Sequence, residues 1–130
     1  MRKLFAVCAL ALTLAGCITV GQPIINPVTS VDMFRVKNVY AATLELVVAW
    51  RDYCWKRPYA VLMSDPVAKP VCQNRRQRLR TIQTAQVQAG TAVRYADNWV
   101  RQNPTISPAS VIGPAWDAVT NFQQLVPRVN

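Results

Sequence analysis

This chain has nine prolines, and none of them falls between residues 28 and 57 or between 71 and 103. Proline lacks the amide proton a helix needs, its ring clashes with the preceding turn, and the residue before it avoids the helical region. Two long proline-free windows, separated by a segment carrying Pro58, Pro66 and Pro70, are therefore where long helices can form. In the first window Val36, Tyr40, Thr43, Val47, Trp50 and Cys54 recur by threes and fours, flanked by Val39, Leu46 and Tyr53. In the second the same period links Leu79, Ile82, Ala85, Ala89, Ala92, Val93, Ala96, Trp99 and Val100. That period is helical. Thr29-x-x-Asp32 has the form of a capping box, its hydroxyl placed to accept from the third helical amide, with Asp32 at the positive end of the dipole.

The spacing predicts helices over 30–56 and 71–102, closed by Arg57-Pro58 and Asn103-Pro104, with a loop between them that holds at most one helical turn at Asp65-Pro66. Ser107 followed by Pro108 at a first helical position opens a third helix over 108–126, with Ile112, Trp116, Val119, Phe122 and Val126 on its apolar face. Gly113-Pro114 is expected to break or kink it, or to mark the start of its main part. The expected fold is all-α: an antiparallel helical hairpin with a shorter third helix packed across it, in one domain over 30–130. The alanines of the second stripe imply close approach to another helix, either within the hairpin or between chains.

The N-terminus is of another kind. Arg2 and Lys3 precede an apolar run from Leu4 to Ala15, interrupted only by Thr13. This is the order of a signal peptide, and the run is well short of the ~20 residues a membrane-spanning helix needs. Leu14-Ala15-Gly16-Cys17 resembles the lipobox of bacterial lipoproteins, cut just before its cysteine. The resemblance implies that residues 1–16 are a signal peptide, that Cys17 is acylated, and that the membrane is engaged through those acyl chains, each buried methylene contributing about 0.8 kcal/mol. In Gram-negative members an Asp after the cysteine retains the protein in the inner membrane. Ile18 stands here instead, so the resemblance implies the inner leaflet of the outer membrane, with the domain in the periplasm. Residues 17–29, with Gly21, Pro23 and Pro27, read as an extended tether reaching up to about 40 Å.

Of four cysteines, Cys8 would leave with the signal and Cys17 carry lipid, which leaves Cys54 and Cys72. An exported even pair favours a disulfide. The last turn of one hairpin helix and the first turn of the next are neighbours, so Cys54–Cys72 is expected to staple the hairpin, with about 3 kcal/mol from loop closure. A redox or metal role has little to stand on, since the chain has no C-x-x-C and no histidine.

The charge is lopsided. The formal net charge is +9, and residues 51–80 hold Arg51, Lys56, Arg57, Lys69, Arg75, Arg76, Arg78 and Arg80 against only Asp52 and Asp65. Arginines in the first turns of a helix run against its dipole, so the stretch "NRRQRLR" (74–80) asks for a reason beyond the stability of that helix. It reads either as a solvated face or as a cationic tip, with Arg75, Arg76, Arg78 and Arg80 as the candidate residues for an anionic partner: an acidic envelope protein, the cell wall or anionic lipid. Aromatics interleaved in "RDYCWKRPY" (51–59) could stack on nucleic-acid bases, but packing around the disulfide is the more ordinary use of Tyr53 and Trp55, and a lipid-anchored envelope protein rarely meets nucleic acid.

Catalysis needs a tuned acid, base or nucleophile. Histidine is absent, the six carboxylates form no paired motif, and no metal or cofactor motif is present. The sequence therefore points to a non-enzymatic envelope lipoprotein, a helical interaction or scaffolding module with a basic tip. An alternative of a different class is a phage-type lysis factor resembling outer-membrane spanin lipoproteins in anchor and size. Those are typically shorter and proline-rich after the cysteine, whereas this chain carries long amphipathic helices and a cysteine pair.

Overall fold

The computed structural model describes residues 30–129. They form five helices: α1 (Ser30–Trp55), α2 (Tyr59–Ser64), α3 (Ala68–Cys72), α4 (Arg75–Gln102) and α5 (Ala109–Leu125). Among the described residues there is no strand, and no helix is long and apolar enough to cross a membrane. The lipobox, Cys17 and the tether, together with Thr29 of the expected capping box, lie outside the described residues.

The fold is all-α, and its long helices alternate in direction. Lys37 of α1 meets Asp97 of α4, Tyr40 meets Gly90, and Cys54 meets Cys72. Rising numbers on α1 thus face falling numbers on the α3–α4 segment, as an antiparallel hairpin requires. The chain returns through 103–108, and α5 packs most extensively along α4 and also against α1. The end of α5, at Gln124 and Leu125, reaches the N-terminal turns of α4 at Asn74 and Gln77.

The core joins all five elements. Val36 and Trp50 of α1, Leu62 of α2, Ile82 and Ala89 of α4, and Ile112, Val119 and Phe122 of α5 are fully buried. Burying a side chain such as Leu62 contributes about 1.5–3 kcal/mol, which is how a six-residue helix is held in place. The alanine stripe packs within the bundle, with Ala85, Ala89 and Ala96 in the core. Its close approach is most acute at Gly90, where an added Cβ would stand 2.6 Å from the Tyr40 hydroxyl. Tyr40 in turn lies 6.0 Å from Phe122, centroid to centroid.

Three expectations need correction. The segment after Pro58 is two short helices, and the second long helix does not start at Val71. Residues 68–72 form α3, and the chain then turns at Asn74, whose φ of 56° is left-handed, before α4 begins at Arg75. Asparagine tolerates that conformation better than most side chains, so the break needs neither glycine nor proline. Gly113-Pro114 neither breaks α5 nor starts it. Pro114 sits inside a continuous helix that opens on the Pro108 carbonyl, which accepts from Val111 and Ile112 at 3.1 and 3.0 Å.

Candidate functional site

The cations of residues 51–80 gather where α1 ends, α2 and α3 turn, and α4 begins. At the centre is the disulfide, with an S–S distance of 2.06 Å and the Cα atoms 5.4 Å apart. Both sulfurs belong to fully buried residues. Beside it the Trp50 indole N–H donates to the Val71 carbonyl at 3.1 Å, and its ring meets that of Trp55 edge-on at 5.6 Å.

The four candidate arginines divide into two pairs. Arg75 donates from Nη1 to the carbonyl oxygen of Cys54, in the last turn of α1. Its guanidinium lies 4.8 Å from the Trp55 ring and 4.9 Å from the Tyr59 ring. Arg78 donates to the Val71 carbonyl, in the last turn of α3, at 3.2 Å. The reason sought for cations at the start of α4 is thus partly found at the ends of its neighbours. Arg75 and Arg78 run against the dipole of α4 but complement the negative ends of α1 and α3: Arg75 gives the Cys54 carbonyl a donor, and Arg78 joins the Trp50 indole on that of Val71. Arg76 and Arg80 point outward and, like Arg51 and Lys69, make no ion pair or side-chain hydrogen bond among the described residues. Arg76, Arg75, Asn74, Gln77 and Tyr59 line an open cleft of about 480 Å³.

The two acids at this end are already engaged. The Val67 and Ala68 amides donate to Asp65 Oδ1 at 2.8 and 3.2 Å, which holds the carboxyl below its ordinary value, with the Arg57 guanidinium at 3.8 Å adding to the effect. Arg57 also covers the Tyr53 ring at 4.5 Å. Asp52 receives a 2.8 Å hydrogen bond from Lys56, which likewise lowers its pKa.

The structure therefore brings Cys54 and Cys72 together as expected and places all four arginines at the tip, two of them as structural donors. Sequence reasoning missed Tyr59 and gave Trp55 a different task. Trp55 is half-exposed and serves Arg75 as a platform, while Trp50 occupies the buried place beside the disulfide. The signal was present in the interleaving of aromatic and basic residues over 51–59, since arginine stacks on aromatic faces. No protein-family model, no curated protein and no solved structure matches the chain.

Proposed function

We propose that this chain is a non-enzymatic, lipid-anchored lipoprotein of the cell envelope, held in the inner leaflet of the outer membrane, whose helical domain presents a basic tip to an anionic partner. The lipobox at Leu14-Ala15-Gly16-Cys17 supports the anchor, and a disulfide at Cys54–Cys72 agrees with export to an oxidising compartment. The observation that carries the reading is the way the tip holds its cations. Carbonyl oxygens and aromatic rings fix Arg75 and Arg78 in place without cancelling their charge, and Arg76 and Arg80 stand in solvent beside them. Such a surface costs self-repulsion and repays it by attracting and orienting an anionic surface.

The test is co-purification from detergent-solubilised envelopes, read by mass spectrometry, for wild type, Cys17→Ser and Arg76→Glu/Arg80→Glu. Reversing Arg75 or Arg78 as well would disturb the tip itself, so those two stay. One dominant acidic partner, lost in both variants, is the expected result. Association unchanged by Arg76→Glu/Arg80→Glu overturns the role of the tip, and association unchanged by Cys17→Ser together with lack of acylation overturns the anchor.

A further inference from the structure

Helix α1 is apolar on two faces. One joins the core through Val36, Thr43, Trp50 and Cys54. The other carries Phe34, Ala41 and Val48, which point away from the bundle, and ends at Trp55, whose ring is shared with the tip; all four are exposed, three of them at 64%, 49% and 38%. These four stand seven residues apart. A strict seven-residue repeat drifts by about 20° per repeat on a straight helix, and a left-handed supercoil with a second helix removes that drift. The seam crosses almost the whole length of α1, and the bundle covers part of it only at Trp55, where Arg75 and Trp50 touch the ring.

The flanks of the seam indicate what covers the rest. On one side lie Lys37, Leu44 and Arg51, on the other Asn38, Glu45 and Asp52. Lys37 and Asp52 have partners in their own chain, Asp97 and Lys56. Glu45 and Arg51, both exposed, have no ion pair or side-chain hydrogen bond among the described residues. A two-fold axis parallel to the helices sets the acidic flank of one copy against the basic flank of the other. An antiparallel two-fold sets like against like: Glu45 and Asp52 would face their own kind, as would Lys37 and Arg51.

We infer that the outer face of α1 is a homodimer interface, formed by a second copy of this chain in parallel orientation. Phe34, Ala41, Val48 and Trp55 stack on their counterparts, and Glu45 and Asp52 face Arg51 of the partner across each edge. The interface does not depend on the proposed anchor. Parallel orientation also brings both α1 N-termini to one side, where two tethers would enter the same leaflet, and sets two basic tips side by side at the far end.

The test is single-cysteine cross-linking of the full chain in its own envelope. Ala41→Cys and Val48→Cys are each oxidised and read on non-reducing gels, with the Cys54–Cys72 bridge verified by mass. Val87→Cys, on an exposed position of α4 away from the seam, is the control. Covalent dimers at both seam positions, and not at Val87, are expected. In the Val48→Cys background, Glu45→Arg should lower the yield about tenfold, and adding Arg51→Glu should restore it, because like charges facing across an interface are strongly disfavoured. Dimers at only one seam position would mean an antiparallel or other pairing and overturn the assignment, as would equal yields at Val87 or a charge exchange that does not restore. Sedimentation of the wild-type protein in detergent gives an independent answer: a protein mass of two chains is expected, and a monomer overturns the interface. A wild-type chain that dimerises but carries no acyl group on Cys17 would count against the anchor alone.

Discussion

The two ends of the bundle hold their cations by different means. At the end where α1 begins and α4 finishes, Lys37 and Arg101 share the Asp97 carboxylate at 3.1 and 3.0 Å, and Arg35 stands 3.6 Å from Asp32. Opposite charges meet there, three cations on two carboxylates, and most of the charge is cancelled. At the hairpin tip, Arg75 and Arg78 are satisfied by the carbonyls of Cys54 and Val71 and by the faces of Trp55 and Tyr59. A helix C-terminus offers only about half a unit of negative charge, spread over several carbonyls, and a ring offers a quadrupole. The tip can therefore order its arginines and remain strongly positive. Geometry and neutralisation are separate properties, and only the first is needed for a stable fold.

The largest expected effect separates the tip from the body. Replacing Cys54 and Cys72 with serine should cost about 3 kcal/mol of global stability by the loop-closure estimate, measured as a lower urea midpoint. The loss should be uneven. Helical circular dichroism at 25 °C should fall little, because the contacts of α1, α4 and α5 remain, while trypsin should cut faster after Lys56 and Arg76, on either side of α2 and α3. Equal protection of these sites in both proteins would mean that Leu62 and the Asp65 turn hold the tip without the disulfide, and the contrast between the two ends would weaken.

The next effect sharpens the contrast within the tip. Arg75→Ala removes a hydrogen bond to a helix-terminal carbonyl and two cation–π contacts, together worth about 1–3 kcal/mol. Arg76→Ala, one residue away and solvent-facing, should stay within about 0.5 kcal/mol of wild type. Both remove one positive charge, so net charge cannot explain a difference. Equal stability of the two variants in denaturant titrations would dismiss Arg75 as a structural donor.

Much of this was legible in advance, for identifiable reasons. The proline-free windows marked the long helices, because proline acts on local geometry that packing rarely overrides. The alanine and isoleucine stripe of α4 was readable because that helix is polar elsewhere. The outer face of α1 was not, since a helix apolar on two faces yields a weak pattern in which the core stripe hides the second one. The break at Asn74 was hidden because its left-handed backbone is chosen by the tertiary path between Cys72 and Arg75, with no punctuating residue to announce it. Nor could the sequence separate Arg75 and Arg78 from Arg76 and Arg80: which arginine meets a carbonyl depends on where α1 and α3 end.

A smaller effect probes the body, midway between the ends. Alanine is favoured over glycine in a helix by about 1 kcal/mol, yet at Gly90 the new methyl would meet the Tyr40 hydroxyl at 2.6 Å and its ring carbon at 3.3 Å. The ring is rigid and is packed on Phe122, so overpacking of about 1–3 kcal/mol should outweigh the propensity gain. Gly90→Ala should be destabilising in thermal melts, and Tyr40→Phe, by removing the closer atom, should recover part of the loss in the double variant. Strict additivity of the two changes would place the clash elsewhere.

The smallest effect returns to the ends and depends on pH. Burial pushes the Asp97 carboxyl up, but the hydrogen bond and charge of Lys37, with Arg101 behind it, outweigh burial and hold its pKa below the usual 3.8. A carboxylate whose folded pKa is depressed binds fewer protons in the folded state. Its contribution is complete above the unfolded value and is lost as pH falls through the folded one, so stability should decline below about pH 5 and continue to fall past pH 3. Asp97→Asn should lower stability slightly at neutral pH and flatten part of that acid limb. At the tip Asp65 and Asp52 also protonate in this range, but guanidinium contacts to carbonyls and rings do not titrate there. Once the pH has fallen through the folded Asp97 value, the base should have lost its Lys37 and Arg101 pairs while Arg75 and Arg78 stay engaged, read as a retained slow tryptophan quenching rate at Trp55 against a lowered global midpoint. Parallel loss of both signals would show that acid reaches the two ends alike, and that the tip leans on its carboxylates more than on its carbonyls and rings.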